Sequence, residues 1–174
     1  MSGLRKGVSY NADGSIKYCT FCSIAKGENE TRVIKEVGDL MIFESKGNAA
    51  RGHFLVCPKN HVWSCISLQE NERGADMAKR MLEEGKRFME EKFPGEEKQR
   101  KYVFHKPPRN SIDHLHLHCF QLPHTSVFWR LAYWTGAPWV IEANTFISSL
   151  LQGERPLTIS NALRSKLRHD IFSK

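Results

Sequence analysis

No apolar run in the chain approaches the roughly 18 consecutive residues that a membrane-spanning helix needs, so a membrane-embedded helical protein is excluded. The opening stretch, "MSGLRKGVSYNADGSIKY", has no hydrophobic segment of the kind a secretory signal carries, and it reads as a flexible leader over residues 1–17. Cytoplasm, with the nucleus as an alternative, is the expected compartment. The cysteines do not make an even set: Cys19, Cys22, Cys57, Cys65 and Cys119 are five. An odd count without an export signal argues for reduced thiols or metal ligands and against a disulfide framework. Internal repeats and low-complexity linkers are lacking as well. Acidic residues are outnumbered, 19 against 26 Lys and Arg, for a net charge of +7. Such a balance suits anionic ligands but does not choose among them. Part of the excess lies in "ALRSKLRHDIFSK", which reads as a solvated basic tail.

What is present is a chain of 174 residues, 40% hydrophobic and 26% charged, the size and composition of one globular domain. "TRVIKEV" and "LMIFES" read as strands joined by a turn at Gly38 and Asp39. "HFLVCP" is a third strand, stopped by Pro58. From Gln69 to Lys92, apolar residues at Met77, Met81, Leu82, Phe88 and Met89 alternate with charges at helical spacing. Pro94 and Gly95 end that helix. "RKYVFH" and "IDHLHLHCFQLP" are the fourth and fifth strands. Glu142 to Gln152 reads as a short helix, preceded by an extended Trp139, Val140 and Ile141. The order predicts an α+β fold with an antiparallel sheet of about five strands, a long helix, a short N-terminal helix and helices on one face. Domain limits follow: a main domain over 18–124 and an extension over 125–174 packed on it.

The informative stretch is "DHLHLHCF", where His114, His116 and His118 occupy every second position. On an extended strand they share one face, while Leu115, Leu117 and Cys119 point to the other, towards a core. A row of imidazoles supports three readings. One ring can attack phosphorus while its neighbour donates hydrogen bonds to phosphate oxygens. All three can ligate a zinc ion that activates water. Or they are surface histidines without chemistry, a reading that strict alternation with apolar partners disfavours.

"HLHLHCF" resembles the motif of the histidine triad nucleotide hydrolases and transferases. "CTFCSIAKGE", "RGHFLVCPKNH" and "FHKPPRNSIDHLHLH", followed by "PWVIEANTFISSLL", are similar to further segments of that superfamily in the same order, most of all to the third branch of its Hint proteins. The resemblance spans roughly residues 18 to 151. It implies a histidine triad fold and an adenosine (purine) 5'-phosphoramidase or related hydrolase that releases AMP. By motif position His116 is the nucleophile, His118 serves phosphate and leaving group, and His53 supports the triad. It implies nucleotide contacts from Phe43, Ser45, Lys46, Leu55, His105, Asn110 and Ser111, besides His116 and His118. An AMP-type nucleotide and a second copy of the chain, in a homodimer built through the long helix and a strand, are the implied partners. One departure stands out. Ser45 and Lys46 replace an aspartate and an apolar residue, and a neutral hydroxyl holds ribose less strongly than a carboxylate. Glu44 is adjacent, but alternation aims it at the opposite face.

Cys19-x-x-Cys22 alone reads either as two small hydrophobes or as half of a metal site. The resemblance supplies the other half, His61 and His114, as a structural four-ligand zinc site that would take His114 out of the chemistry. The aromatic stretch with Phe128, Trp129, Tyr133, Trp134 and Trp139 reads as core or dimer contact, or as pocket wall. Two other functions fit less well. Removal of AMP from nucleic-acid 5' ends is associated with a C-terminal zinc finger, and no cysteine follows Cys119. A nucleotide-binding regulator with little turnover is the other.

Overall fold

The computed structural model describes residues 6–154; the basic tail lies outside them. Two strands, β1 (Val8–Tyr10) and β2 (Ile16–Cys19), pair antiparallel as a hairpin, where the sequence suggested an unstructured leader. Its turn is closed locally by Asp13, which accepts hydrogen bonds from the Ser15 backbone and hydroxyl at 2.9 and 2.6 Å. Helix α1 (Thr20–Ala25) follows directly. The remaining strands are β3 (Val33–Val37), β4 (Leu40–Glu44), β5 (Ala50–Pro58), β6 (Arg100–His105), β7 (Leu117–His124) and β8 (Val140–Glu142). They form one antiparallel sheet in the order β3-β4-β5-β7-β6-β8. The sheet therefore has six strands; the extended segment after Trp139 supplies the sixth, against β6.

The long helix α2 (Glu72–Lys92) starts later than its apolar spacing suggests, because Asn71 caps it and accepts from the Gly74 backbone N–H at 3.2 Å. It buries Ala75, Ala78, Met81, Leu82, Phe88 and Met89, and α4 (Ala143–Leu151) packs beside it through Phe146, Ile147 and Leu150. Both lie on one face of the sheet. Leu115, Leu117, Cys119, Phe54, Val56 and Phe104 meet them there. Fully burying side chains of this size contributes roughly 1.5–3 kcal/mol each. The opposite face is not bare, as one-sided helices would leave it. α1 covers Met41, Phe43, Leu55 and Cys57, while α3 (Val127–Ala132) and Tyr133 lie over Val103, Phe120 and Val140. Between these two lids stand the histidines.

Candidate active site

β7 begins at Leu117, so His114 and His116 precede the hydrogen-bonded ladder. The chain bends over residues 111–114 and is then held towards β7 by the Leu115 N–H, which donates to the Val62 carbonyl at 2.6 Å. Alternation survives: Leu115 and Leu117 are at most 1% exposed in the core under α2, and all three histidines are at most 5% exposed on the other side.

Each ring's protonation pattern is set by a fixed partner. His116 directs Nδ1 to the His114 carbonyl at 2.6 Å; a carbonyl only accepts, so the proton sits on Nδ1 and Nε2 keeps its lone pair. The Ala49 backbone N–H, which only donates, points at His53 Nδ1 at 3.5 Å. His53 must then carry its proton on Nε2 and donate it to His118 Nδ1, 2.9 Å away. That leaves His118 as an Nε2–H donor. His116 Nε2 and His118 Nε2 are both buried, with no hydrogen-bond partner among the described residues. Their ring centroids are 4.8 Å apart. A nucleophilic lone pair thus stands beside a proton donor.

Burial keeps these rings neutral. It pushes His53 down to about 3 and His105 to about 4, with the neighbouring His116 adding to both shifts. His118 and His116 are lowered for the same first reason. Neutral imidazole is the form that can attack.

His114 is engaged elsewhere. Its Nε2–H donates to the Pro58 carbonyl at 2.9 Å, leaving Nδ1 bare. That nitrogen lies 3.4 Å from Cys19 Sγ and 3.7 Å from Cys22 Sγ, and His61 Nδ1 is 3.6 Å from Cys22 Sγ. The four ligand atoms are all within 4.8 Å of one another, a group able to hold a metal ion. The carbonyl behind His114 Nε2 is the kind of outer partner that orients a ligating imidazole. Burial pushes the Cys22 thiol up to about 12, with Cys19 adding to the shift; a cation between the sulfurs would reverse that balance.

A cavity of about 760 Å³ opens over His118. One end is apolar, walled by Phe21, Ile24, Phe43, Leu55 and Ile112; the other is formed by His105, Arg109, Trp129, Tyr133 and Trp139. Of the residues predicted to touch nucleotide, Phe43, Ser45, Lys46, Leu55, His105, Ser111 and His118 line it. His116 sits beneath Phe21, edge to face at 5.4 Å. Asn110 has a different task. Its Nδ2 donates to Ile112 O at 3.0 Å and Asp113 Oδ1 at 2.7 Å, and its Oδ1 accepts from Lys6 Nζ at 2.9 Å. At 4% exposure it pins the loop before the triad and does not reach the cavity. Glu44, the last residue of β4 and paired with Phe54, also contributes to the wall.

Sequence reasoning left the aromatic segment between two readings, and it serves both. Tyr133 is 6% exposed in a small core, stacked on His105 at 4.6 Å and 8°. Trp129 and Trp139 wall the cavity, whereas Trp134 is 58% exposed. Phe21, in the Cys-x-x-Cys turn, and Arg109, in "KPPRNS", were not singled out. Nothing local marks them; only the fold brings them to the histidines.

Residues 18–132 match the protein family described as "Scavenger mRNA decapping enzyme C-term binding". The chain is 34% identical over 141 residues to the bifunctional adenosine 5'-phosphosulfate phosphorylase/adenylylsulfatase HINT4 of Arabidopsis thaliana, covering 80% of this chain and 92% of the relative. It is 34% identical over 137 residues to adenosine 5'-monophosphoramidase HINT3 of Xenopus tropicalis, covering 76% and 86%. Among solved structures it is similar to a HIT family hydrolase from Clostridium thermocellum, with a TM-score of 0.55 at 21% identity over 64% of this chain and 96% of that one. A histidine triad protein from Clostridium difficile gives 0.52 at 24% identity, covering 62% and 96%. These two speak to the fold. With three alternating histidines on one face of a six-stranded sheet, and relatives that span most of its length, the chain belongs to the histidine triad superfamily, in its Hint branch.

Proposed function

We propose that the protein is a nucleotide hydrolase acting at the α-phosphate of an adenosine 5'-phosphoramidate or related conjugate, releasing AMP. The observation that carries this reading is the pair of partnerless Nε2 atoms, one a lone pair on His116 and one an N–H on His118. In the first step His116 Nε2 forms a bond to phosphorus and the P–N bond breaks. The departing amine accepts a hydrogen bond from the neutral His118 Nε2–H and takes its proton from a water in the open cavity, leaving hydroxide. In the second step that hydroxide bonds to phosphorus, the P–N bond to His116 Nε2 breaks, and AMP leaves with His116 neutral again. The His114 carbonyl stabilises the charge that His116 acquires on bonding to phosphorus, because it already accepts the Nδ1–H. The purine fits the apolar end against the Phe21 and Phe43 rings, with Ser45 and Lys46 at the ribose side.

His116→Ala should lose turnover by roughly a thousandfold or more, and an alkaline quench should trap nucleotide on wild-type protein but not on the variant. Turnover of the variant at the wild-type rate would place the nucleophile elsewhere.

Zinc is the ion this reading assigns to Cys19, Cys22, His61 and His114, since two thiolates and two imidazoles suit a closed tetrahedral site. It would pin α1 and the hairpin to the triad strand and take no part in the reaction. Metal analysis of the purified protein checks its identity. The reading includes a homodimer. Because β8 occupies the outer side of β6, a continuous two-subunit sheet would have to form at the free edge of β8 or β3; light scattering would measure the mass. Cytoplasm is the proposed compartment, where the five free thiols would stay reduced.

A further inference from the structure

The cavity holds charge that the histidines do not explain. Its rings are neutral at pH 7, and the ionised groups on its wall are Lys46, Arg109 and Glu44. Arg109 is the cation at the end away from the purine. Neighbouring groups trace the path. Phe21 touches His116 at 5.4 Å, His116 faces His118 at 4.8 Å, and His118 faces His105 at 5.0 Å. His105 Nε2 then donates to the Ala132 carbonyl at 3.3 Å, and Trp139 Nε1 donates to the same oxygen at 3.0 Å. The guanidinium carbon of Arg109 stands 5.5 Å from the Trp139 ring centroid. An unbroken chain of contacts thus runs from Phe21 through the histidines to Trp139 and Arg109.

Arg109 is held in place without being neutralised. Trp139 is fixed at its indole by Ala132 and at its backbone carbonyl by the Lys106 N–H at 2.8 Å. The Arg109 N–H donates to the Lys106 carbonyl at 3.1 Å, closing the same turn. Among the described residues no carboxylate pairs with its guanidinium. A planar, stacked fork with free donors is suited to bidentate recognition of an anionic group.

We propose that Arg109 is a specificity residue for leaving groups that carry their own anionic oxygens, such as a sulfate joined to the α-phosphate. This rests on the hydrolase reading above. The two substrate classes ask different things of the site. An amine needs a proton as the P–N bond breaks, taken from water beside the hydrogen-bonding His118 N–H. A sulfate leaves with the P–O electron pair as a stable dianion and needs none; what helps it is positive charge where its oxygens gather. In both cases water then releases AMP from His116.

Two measurements test this. In a His116→Ala background, where turnover plays no part, the Kd values of adenosine 5'-phosphosulfate and of AMP are compared with and without Arg109→Gln. In the His116-intact protein, the kcat/KM ratio of adenosine 5'-phosphosulfate to adenosine 5'-phosphoramidate is compared for wild type, Arg109→Gln and Arg109→Lys. The glutamine variant should shift both ratios against the phosphosulfate by about tenfold or more, and the lysine variant should recover part of the loss. Equal weakening of AMP and phosphosulfate would put Arg109 on the α-phosphate and overturn the proposal, as would unchanged ratios. If wild-type protein cleaves neither conjugate, it is the hydrolase reading that fails, and the binding ratio still decides the role of Arg109.

Discussion

A histidine in this site is defined less by its own chemistry than by what its second nitrogen is given. His114 and His116 are both buried imidazoles, yet one offers Nδ1 to the Cys pair and the other Nε2 to the cavity, because Pro58 and His114 carbonyls take the opposite nitrogens. Alternation in "HLHLH" revealed that the rings share a face. It could not reveal the tautomers of His114 and His118, since the partners that set them are 56 and 65 residues away in the chain. Neutrality has a consequence for pH. His53 and His105 have folded-state values of about 3 and about 4 against 6.5 unfolded, with burial the first cause. A depressed value means that the unfolded chain binds the proton first. Stability from these groups is complete above pH 6.5 and is lost as pH falls towards 4 and 3, at ~1.4 kcal/mol per pH unit for each ring. Urea unfolding across that range should show the decline, and His53→Phe should flatten it; a stability independent of pH between 6.5 and 4 would contradict the buried-neutral assignment.

At the scale of elements, the hydrophobic pattern located all the longer pieces. β3 to β7 and α2 follow from period-2 and period-3.6 spacing, and Pro94-Gly95 marked the end of α2 correctly, with Gly95 at φ +75°. Short pieces escaped. The β1–β2 hairpin is mostly polar: only its Val8–Cys19 pair enters the core, and the rest depends on the Asp13–Ser15 hydrogen bonds and on strand pairing, too little to leave a hydrophobic signature. β8 is three residues long and is a strand only because β6 lies beside it. Gly85 shows how closely the elements approach. A Cβ there would lie 2.8 Å from Cys119 Sγ and 3.4 Å from Val56 Cγ2, so α2 rests directly on the back of the triad strand. Gly85→Val should destabilise the protein by about 1–3 kcal/mol through overpacking and lower kcat by displacing β7. Chemical denaturation reads the first effect and steady-state kinetics the second; an unchanged unfolding midpoint would mean that the helix has room to move.

For the molecule as a whole, the Cys/His cluster ties three separate regions together: the helix α1 turn, the segment after β5 and the start of the triad. A bound ion there stabilises the fold by mass action, about 2.7 kcal/mol when free metal is a hundredfold above its dissociation constant. Chelation should therefore lower the thermal midpoint of wild-type protein and leave that of Cys22→Ser little changed. If verified metal removal left the wild-type midpoint where it was, the cluster would have no structural role. The sequence by itself determined the α+β class, the positions of the main strands and the long helix, and the common face of His114, His116 and His118, because all of these depend on side-chain periodicity, which is local. Tertiary structure alone decided which imidazole nitrogen is free, that Cys19 meets His114 across 95 residues, that Asn110 is spent on the loop before the triad, and that Arg109 stacks on Trp139 at the far end of the cavity. Apart from the local bonds of His116 to His114 and of Asn110 to Ile112 and Asp113, those contacts join residues distant in the chain, and only the closure of the sheet with α1 and α3 over one face brings them within reach.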